Sequence, residues 1–322
     1  MTMPTHQCPW RMQVHHIHQE TPDVWTISLL CHDAYPYRAG QYALVSVRNS
    51  AETLRAYTIS STPGVSEYIT LTVRRIDDGA GSQWLTRDVK RGDYIWLSDA
   101  MGDFTCDDKA EDKFLMLAAG CGVTPIMSMR RWLAKYRPQA DVQVIYNIRS
   151  PQDVIFADEW RQYPVTLVAE NNATHGFVAG RLTTELLKSV PDLATRTVMT
   201  CGPAPYMDWV EQEVTALGVT RFFKEKFFTP VAQAATDGLK FTKLQPAKAF
   251  YAPVGTTLLE ALESNQVPVT VACRAGVCGC CKTKVVSGDY TVSSTMTLSE
   301  AEIADGYVLA CSCHPQGDLV LA

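Results

Sequence analysis

The sequence predicts a multidomain protein in three parts: a β-barrel, an α/β domain on a doubly wound parallel sheet, and an α+β tail. Three observations predict it. Residues 12–106 hold short β-branched and aromatic runs at close spacing, the pattern of a barrel or sandwich. From Lys113 onward, continuously apolar runs alternate with segments of helical period, as a buried parallel sheet flanked by helices requires. The last 50 residues hold six of the eleven cysteines. A chain of 322 residues also exceeds one ordinary core. The changes of pattern set the expected boundaries: 1–107 for the barrel, 108–228 for the α/β domain, 229–239 for a linker and 240–322 for the tail.

In the first part, VWTISLL, YALVSVR, RAYTIS, YITLTVRRI and DYIWLS read as strands. In the second, KFLMLAAG suits a strand buried on both faces. The next residues place Ile126, Met129, Leu133 and Tyr136 at helical spacing. DVQVIYNIR, PVTLVAE and RTVMTCG read as further buried strands, and DVIFADEWRQ, GRLTTELLKS and YMDWVEQEVTALG as the helices between them. TPVAQAATDGL is small, polar and turn-forming, as a linker is. The tail mixes strands, KFTKLQ and TKVVSGDY, with one short helix, TLLEALESN. No internal repeat and no low-complexity tract interrupts this order.

Composition narrows the function. The chain is 46% hydrophobic and 20% charged, as soluble globular domains are. A net charge of −5 provides no electrostatic footprint for nucleic acid. No run of 18 apolar residues is present to span a membrane, and the start, MTMPTHQCPWRMQVHH, lacks the apolar core of a signal peptide. A cytoplasmic protein is therefore expected. In that compartment, crowded cysteines favour a metal site over a disulfide framework.

Cys273, Cys278 and Cys281 have the spacing C-x4-C-x2-C, and Cys311 follows after 29 residues. This is the plant-type [2Fe–2S] ligand pattern. Small residues between them, Ala275, Gly276 and Gly279, let the loop fold closely and aim N–H groups at sulfur. A structural zinc knot is the competing reading, but it usually shows paired C-x2-C units, and only Cys278 and Cys281 form one here. Cys280 and Cys313 neighbour proposed ligands and read as packed or solvent-facing thiols. His15, His16 and His18 lie on one predicted strand without an accompanying thiol or carboxylate, so they are not assigned a metal.

CRAGVCGCC…LACSC resembles the ferredoxin domain fused to the C-terminus of flavin-dependent reductases, which implies a β-grasp-like fold for the tail. The resemblance extends through the chain. In the ferredoxin-reductase family an Arg-x-Tyr-Ser/Thr strand of a small barrel binds FAD, and RAYTIS matches it at Arg55, Tyr57 and Thr58. Arg55 can pair bidentately with the flavin pyrophosphate, Tyr57 can lie against the ring, and the Thr58 hydroxyl can bond the N5 region. Gly81 and Ser82 of GAGSQWL resemble the family's second phosphate segment, and Gly40-Gln41 a signature before the flavin strand. Taken singly, each of these could be an ordinary strand or turn.

The second domain carries Gly120-Cys-Gly122-Val-Thr124-Pro125 between a strand and a helix. This is not the Rossmann G-x-G-x-x-G, but in strand–turn–helix context it makes a diphosphate site. The family has G-x-G-x-x-P here, and Pro125 matches it. Cys201-Gly202-Pro203 matches a family motif that sits beside the nicotinamide. A buried cysteine before a turn is the bland alternative. Arg149 follows the second strand with Asp153 close behind, a poor site for a 2′-phosphate, which favours NADH over NADPH. In RFFKEKFF the resemblance implies that Glu225 and Phe227 reach back to the flavin; a terminal strand packing its aromatics is an equal alternative. Thr58, Cys201 and Glu225 are thus the candidate catalytic residues.

The resemblance implies an NADH:acceptor oxidoreductase with FAD and a [2Fe–2S] cluster. Over the whole length it is similar to the NADH-dependent reductases that serve the hybrid-cluster protein, which implies an iron–sulfur acceptor. Reductase components of ring-hydroxylating oxygenases are the second reading. A zinc- or disulfide-based redox sensor is the non-enzymatic one. From Lys240 onward six Lys/Arg oppose seven Asp/Glu, a net of 6 − 7 = −1, which suits a tethered domain better than an electrostatically steered carrier.

Overall fold

The computed structural model describes residues 3–51, 53–77, 79–226 and 238–322, without the Lys226 side chain. The chain divides into two compact units, Met1–Asn49 with Tyr57–Phe227, and Ser50–Ala56 with Phe228–Ala322.

The barrel strands are β1 (Trp10–Thr21), β2 (Val24–Cys31), β3 (Tyr42–Ser46), β4 (Leu54–Thr58), β5 (Ile69–Arg74) and β6 (Tyr94–Leu97). They form a six-stranded sheet in the order β4-β3-β6-β1-β2-β5. Beyond the end of β4, Ile59 bridges to Leu71 of β5, which joins the two edges and closes the sheet. Met12, Val14, Ile27, Leu29, Val45, Leu71 and Ile95 alternate inward and fill the interior. A short helix, α1 (Ala80–Gln83), follows β5.

The second sheet is parallel, in the order β10-β9-β8-β7-β11-β12. Its strands are β7 (Lys113–Ala119), β8 (Asp141–Ile148), β9 (Thr166–Ala169), β10 (Phe177–Ala179), β11 (Thr197–Gly202) and β12 (Arg221–Lys226). β7 is apolar on both faces because both are covered. Phe114, Met116 and Ala118 pack in one core with α2 (Val123–Tyr136), while Leu115 and Leu117 pack in another. That second core holds Leu187 of α3 (Thr184–Lys188) and Val210 and Val214 of α4 (Ala204–Ala216). Strand order reverses between β7 and β11, so a ligand crevice is expected at their carboxyl ends.

DVIFADEWRQ departs from expectation. It forms two 3-10 turns, Pro151–Asp153 and Glu159–Arg161, rather than a helix. Phe156 sits at φ 60°, a left-handed value that ends helical winding, and its N–H donates to Glu20 Oε2 at 3.2 Å. Its apolar residues Val154, Ile155, Phe156 and Trp160 are nevertheless buried, so the hydrophobic signal reported burial and not winding.

In the C-terminal unit, β13 (Gly238–Lys243), β14 (Lys248–Pro253), β15 (Lys282–Ser287), β17 (Tyr307–Leu309) and β19 (Leu319–Leu321) form a sheet ordered β14-β13-β19-β15-β17. β16 (Tyr290–Val292) pairs with β18 (Cys313–Pro315). α5 (Leu258–Ser264) buries Leu258, Leu259, Ala261 and Leu262 against this unit's core. Both α5 and α6 (Glu300–Ala304) begin with a capping box, Thr257/Glu260 and Ser299/Glu302. Residues 229–237 of the expected linker lie outside the described residues. Gly238 and Leu239 already belong to β13, paired with Pro253 and Ala252.

Candidate functional site

At the carboxyl end of β7 the chain turns through Gly120, Cys121 and Gly122 into α2. Gly120 takes φ +55°, and Arg74 Nη1 lies 3.3 Å from where its Cβ would stand. Gly122 is required by close approach: a Cβ there would meet the Cys201 carbonyl oxygen at 2.0 Å. The turn is therefore pressed onto the end of β11. Thr124 and Pro125 are buried in the first turn of α2, and the Thr124 hydroxyl donates to Cys121 O at 2.9 Å. Gly202 also packs closely, since a Cβ would lie 2.9 Å from Ala119 Cβ, and Pro203 precedes α4.

Cys201 and Glu225 are register partners on β11 and β12. Cys201 is fully buried, and Glu225 is half-buried with its Oε2 shielded from water. Burial pushes the Cys201 thiol up, so it stays uncharged. Burial alone raises Glu225 to about 8, so its carboxyl holds a proton at neutral pH. Glu225 Oε2 and Thr58 Oγ1 are both buried with no hydrogen-bond partner among the described residues. Buried polar atoms are seldom left so. A bound ring with polar edges would supply partners, and on this test the residues fit a flavin. Phe227 lies outside the described residues.

The proton on Glu225 has a thermodynamic consequence. Between the carboxyl's ordinary 4.5 and about 8, the folded chain keeps a proton that the unfolded chain has lost. Stability contributed by this group therefore falls as pH rises through that window, with a slope of at most about 1.4 kcal/mol per pH unit. Thermal unfolding between pH 5 and 8.5 is expected to show Glu225→Gln less sensitive to rising pH than wild type. Parallel profiles would contradict the buried proton.

Of the other barrel residues, Tyr57 is half-buried against the barrel core. Arg55 Nη1 donates to the carbonyls of Leu54 and Ala272, each at 2.8 Å. Gly81 and Ser82 are buried in α1, where the Ser82 hydroxyl donates to Gly79 O at 3.1 Å and accepts from Ile76 N–H at 3.1 Å. Gln41 is structural: its Oε1 accepts from Arg38 N–H and its Nε2 donates to Gly102 O. His15 stacks on Tyr68 with ring centres 4.6 Å apart.

Arg149, exposed at the end of β8, pairs with Asp153 at 3.3 Å and with Asp23 at 2.9 Å. Asp153 was visible four residues away, whereas Asp23 was not legible. Asn147 was also missed. Its Nδ2 donates to Tyr206 Oη at 2.8 Å and to Ala118 O at 3.1 Å, tying α4 to the central strands β7 and β8 at their carboxyl ends.

In the C-terminal unit, the folded loop brings the distant cysteine to the other three. Cys281 and Cys311 have their sulfurs 3.3 Å apart, and Cys273 is hydrogen-bonded with the thiols of Cys278 and Cys311. These bonds lower the Cys273 thiol, and the bond with Cys311 lowers that of Cys281. Among the described residues no three His, Cys, Asp or Glu converge on a single metal ion; the four thiols link in a row, Cys278 to Cys273 to Cys311 to Cys281. Ala275 N–H points to Cys273 Sγ at 3.3 Å and Gly276 N–H to Cys311 Sγ at 3.2 Å. Four soft sulfur donors gathered in one loop region, with N–H groups on sulfur, fit an iron–sulfur centre. Cys280 is half-buried, and Cys313 is buried and pushed up to about 12. No cysteine of the chain is in a disulfide.

The loop's shape depends on residues that spacing did not reveal. Gly276 (φ +70°) and Gly279 (φ +74°) lie under Ser294 and Thr297; a Cβ on Gly276 would meet Ser294 Cβ at 2.7 Å. The Ser294 hydroxyl donates to Gly276 O at 2.6 Å, and the Ser312 hydroxyl to Ser294 O at 2.8 Å. Arg274, itself at φ 57°, clamps the loop to α5 through both oxygens of Glu263.

Residues 12–106 match the oxidoreductase FAD-binding domain family, 116–212 the oxidoreductase NAD-binding domain family, and 242–316 the 2Fe-2S iron-sulfur cluster binding domain family. The chain is 90% identical over 322 residues to the NADH oxidoreductase HCR of Escherichia coli (strain K12), covering 100% of both chains. It is 30% identical to the glycine betaine monooxygenase reductase subunit of Chromohalobacter salexigens, over 94% of this chain and 92% of that one. Among solved structures, phthalate dioxygenase reductase shares the fold at a TM-score of 0.64 and 24% identity, over 97% of both chains. Among the described residues no helix is long and apolar enough to cross a membrane.

Proposed function

The chain belongs to the family of FAD- and NAD-binding oxidoreductases that carry a 2Fe-2S domain, and from that premise we propose that it passes electrons from NADH to a one-electron acceptor protein, the hybrid-cluster protein. Bound FAD would supply hydride acceptance from reduced nicotinamide and release of single electrons, and a 2Fe–2S centre would supply one-electron transfer onward.

The chain's own residues position and shield these groups. Arg55 and the buried α1 turn at Gly81-Ser82 would hold flavin phosphates, and Tyr57 would lie along the ring. The Thr58 hydroxyl, unpartnered among the described residues, would be offered to a ring nitrogen. Gly120, Gly122, Thr124 and Pro125 would admit the dinucleotide's diphosphate at the start of α2. Cys201, Gly202 and Pro203 would border the nicotinamide with an uncharged thiol. Glu225 keeps its proton and so adds no negative charge beside Cys201. Cys273, Cys278, Cys281 and Cys311 would ligate the cluster.

The observation that carries this reading is the meeting of Cys311 with the 273–281 loop, sulfur to sulfur at 3.3 Å, under backbone N–H donors. The test is anaerobic, NADH-driven reduction of purified hybrid-cluster protein beside a ring-hydroxylating oxygenase component. Hybrid-cluster protein should be reduced at least tenfold faster. Faster reduction of the oxygenase component would overturn the choice of acceptor. The second reading has its own support in the 30% identity to a monooxygenase reductase subunit.

A further inference from the structure

Asp23, in the turn between β1 and β2, lies between two arginines from different elements. Its Oδ2 is 2.9 Å from Arg149 Nη2 and 3.2 Å from Arg74 Nε. The Arg74 contact is an ion pair without hydrogen-bond alignment, since Nε has no hydrogen-bond partner among the described residues. The carboxylate is held in place. Its Oδ1 accepts from the Thr21 hydroxyl at 3.0 Å, and its carbonyl accepts from Arg75 N–H at 2.8 Å.

On the proposed reading, a dinucleotide would lie along the two arginines. Arg74 faces Gly120 of the diphosphate turn, and Arg149 ends the strand after it, where acidic or basic residues read the adenosine ribose. Asp23 and Asp153 together balance both guanidinium charges. A ribose 2′-hydroxyl can donate to a carboxylate here. A 2′-phosphate would bring a charge of roughly −1.5 to −2 to a cluster with no net positive charge.

We propose that Asp23 is a specificity-determining residue for the nicotinamide substrate, favouring a free 2′-hydroxyl over a 2′-phosphate by engaging Arg74 and Arg149 together. This rests on the reading of NADH as donor and adds a determinant carried by the barrel rather than by the nucleotide domain's own motifs.

The test uses the full-length, flavin-loaded protein. Asp23→Asn keeps the acceptor for Thr21 and removes the charge. It should raise the NADPH-to-NADH ratio of kcat/KM, with ferricyanide as acceptor, at least tenfold, mostly through KM for NADPH. Calorimetric binding of 2′-phospho-AMP relative to 5′-AMP should strengthen by a similar factor, and the gain should shrink at high salt. Asp23→Ser serves as a second variant should the first lose flavin. An NADH-preferring wild type with both ratios unmoved in flavin-loaded variants overturns the role of Asp23 alone. A wild type that uses NADPH as well as NADH overturns both this role and the reading of the donor.

Discussion

Cys278→Ser is expected to abolish the absorbance and paramagnetic signal of the C-terminal centre and to lower NADH-driven reduction of a protein acceptor at least 100-fold. A serine hydroxyl is a harder donor than thiolate and stays protonated at neutral pH, so it is a poor replacement in a four-thiolate set. The loss should remain local. The C-terminal unit has its own core around Phe241, Leu259, Val308 and Leu319, and the loop is also held by the Arg274–Glu263 clamp and Ser294. NADH-to-ferricyanide activity should fall less than about threefold, because that small acceptor does not depend on these thiols. Cys280→Ser provides the contrast and should keep the centre. Simultaneous loss of flavin from Cys278→Ser would show that the parts are not modular, and a retained centre would remove Cys278 from the ligands.

Gly122→Ala should be the most damaging change in the nucleotide-binding half. The added methyl would lie 2.0 Å from Cys201 O and 2.3 Å from its carbonyl carbon, and both are strand backbone that cannot rotate away. The turn must therefore lift from β11. Overpacking of this kind costs about 1–3 kcal/mol of stability. The kinetic penalty should be larger, because the shift separates the proposed diphosphate turn from Cys201. A displacement near 1 Å can cost about 100-fold in rate. We expect kcat/KM for NADH to fall by about that factor while flavin absorbance persists. Near-normal turnover would mean that the contact between the turn and β11 does not position the nucleotide.

Some of this site was legible before folding. The cysteine loop spans nine residues, so its donors are near one another whatever the rest of the chain does. The apolar run of β7 identified a strand covered on both faces, and Gly120 and Gly122 followed it at once. The segment around Phe156 was misread because its apolar residues are buried from a pair of turns, with a left-handed residue that periodicity does not reveal. Ser294 was silent because serine in a polar stretch carries no signal, although its hydroxyl holds the Gly276 carbonyl.

The sequence by itself determined the order of the parts and the chemistry of each local motif, because strand burial and short-loop ligand spacing are encoded within a few residues. Only the tertiary structure decided which distant groups share a charge or a proton. Asp23 meets Arg149 across 126 positions. Glu225 keeps its proton because the register of β12 on β11 sets it beside Cys201, away from water. Such pairings depend on strand order, register and burial, and these exist only once the sheets have formed.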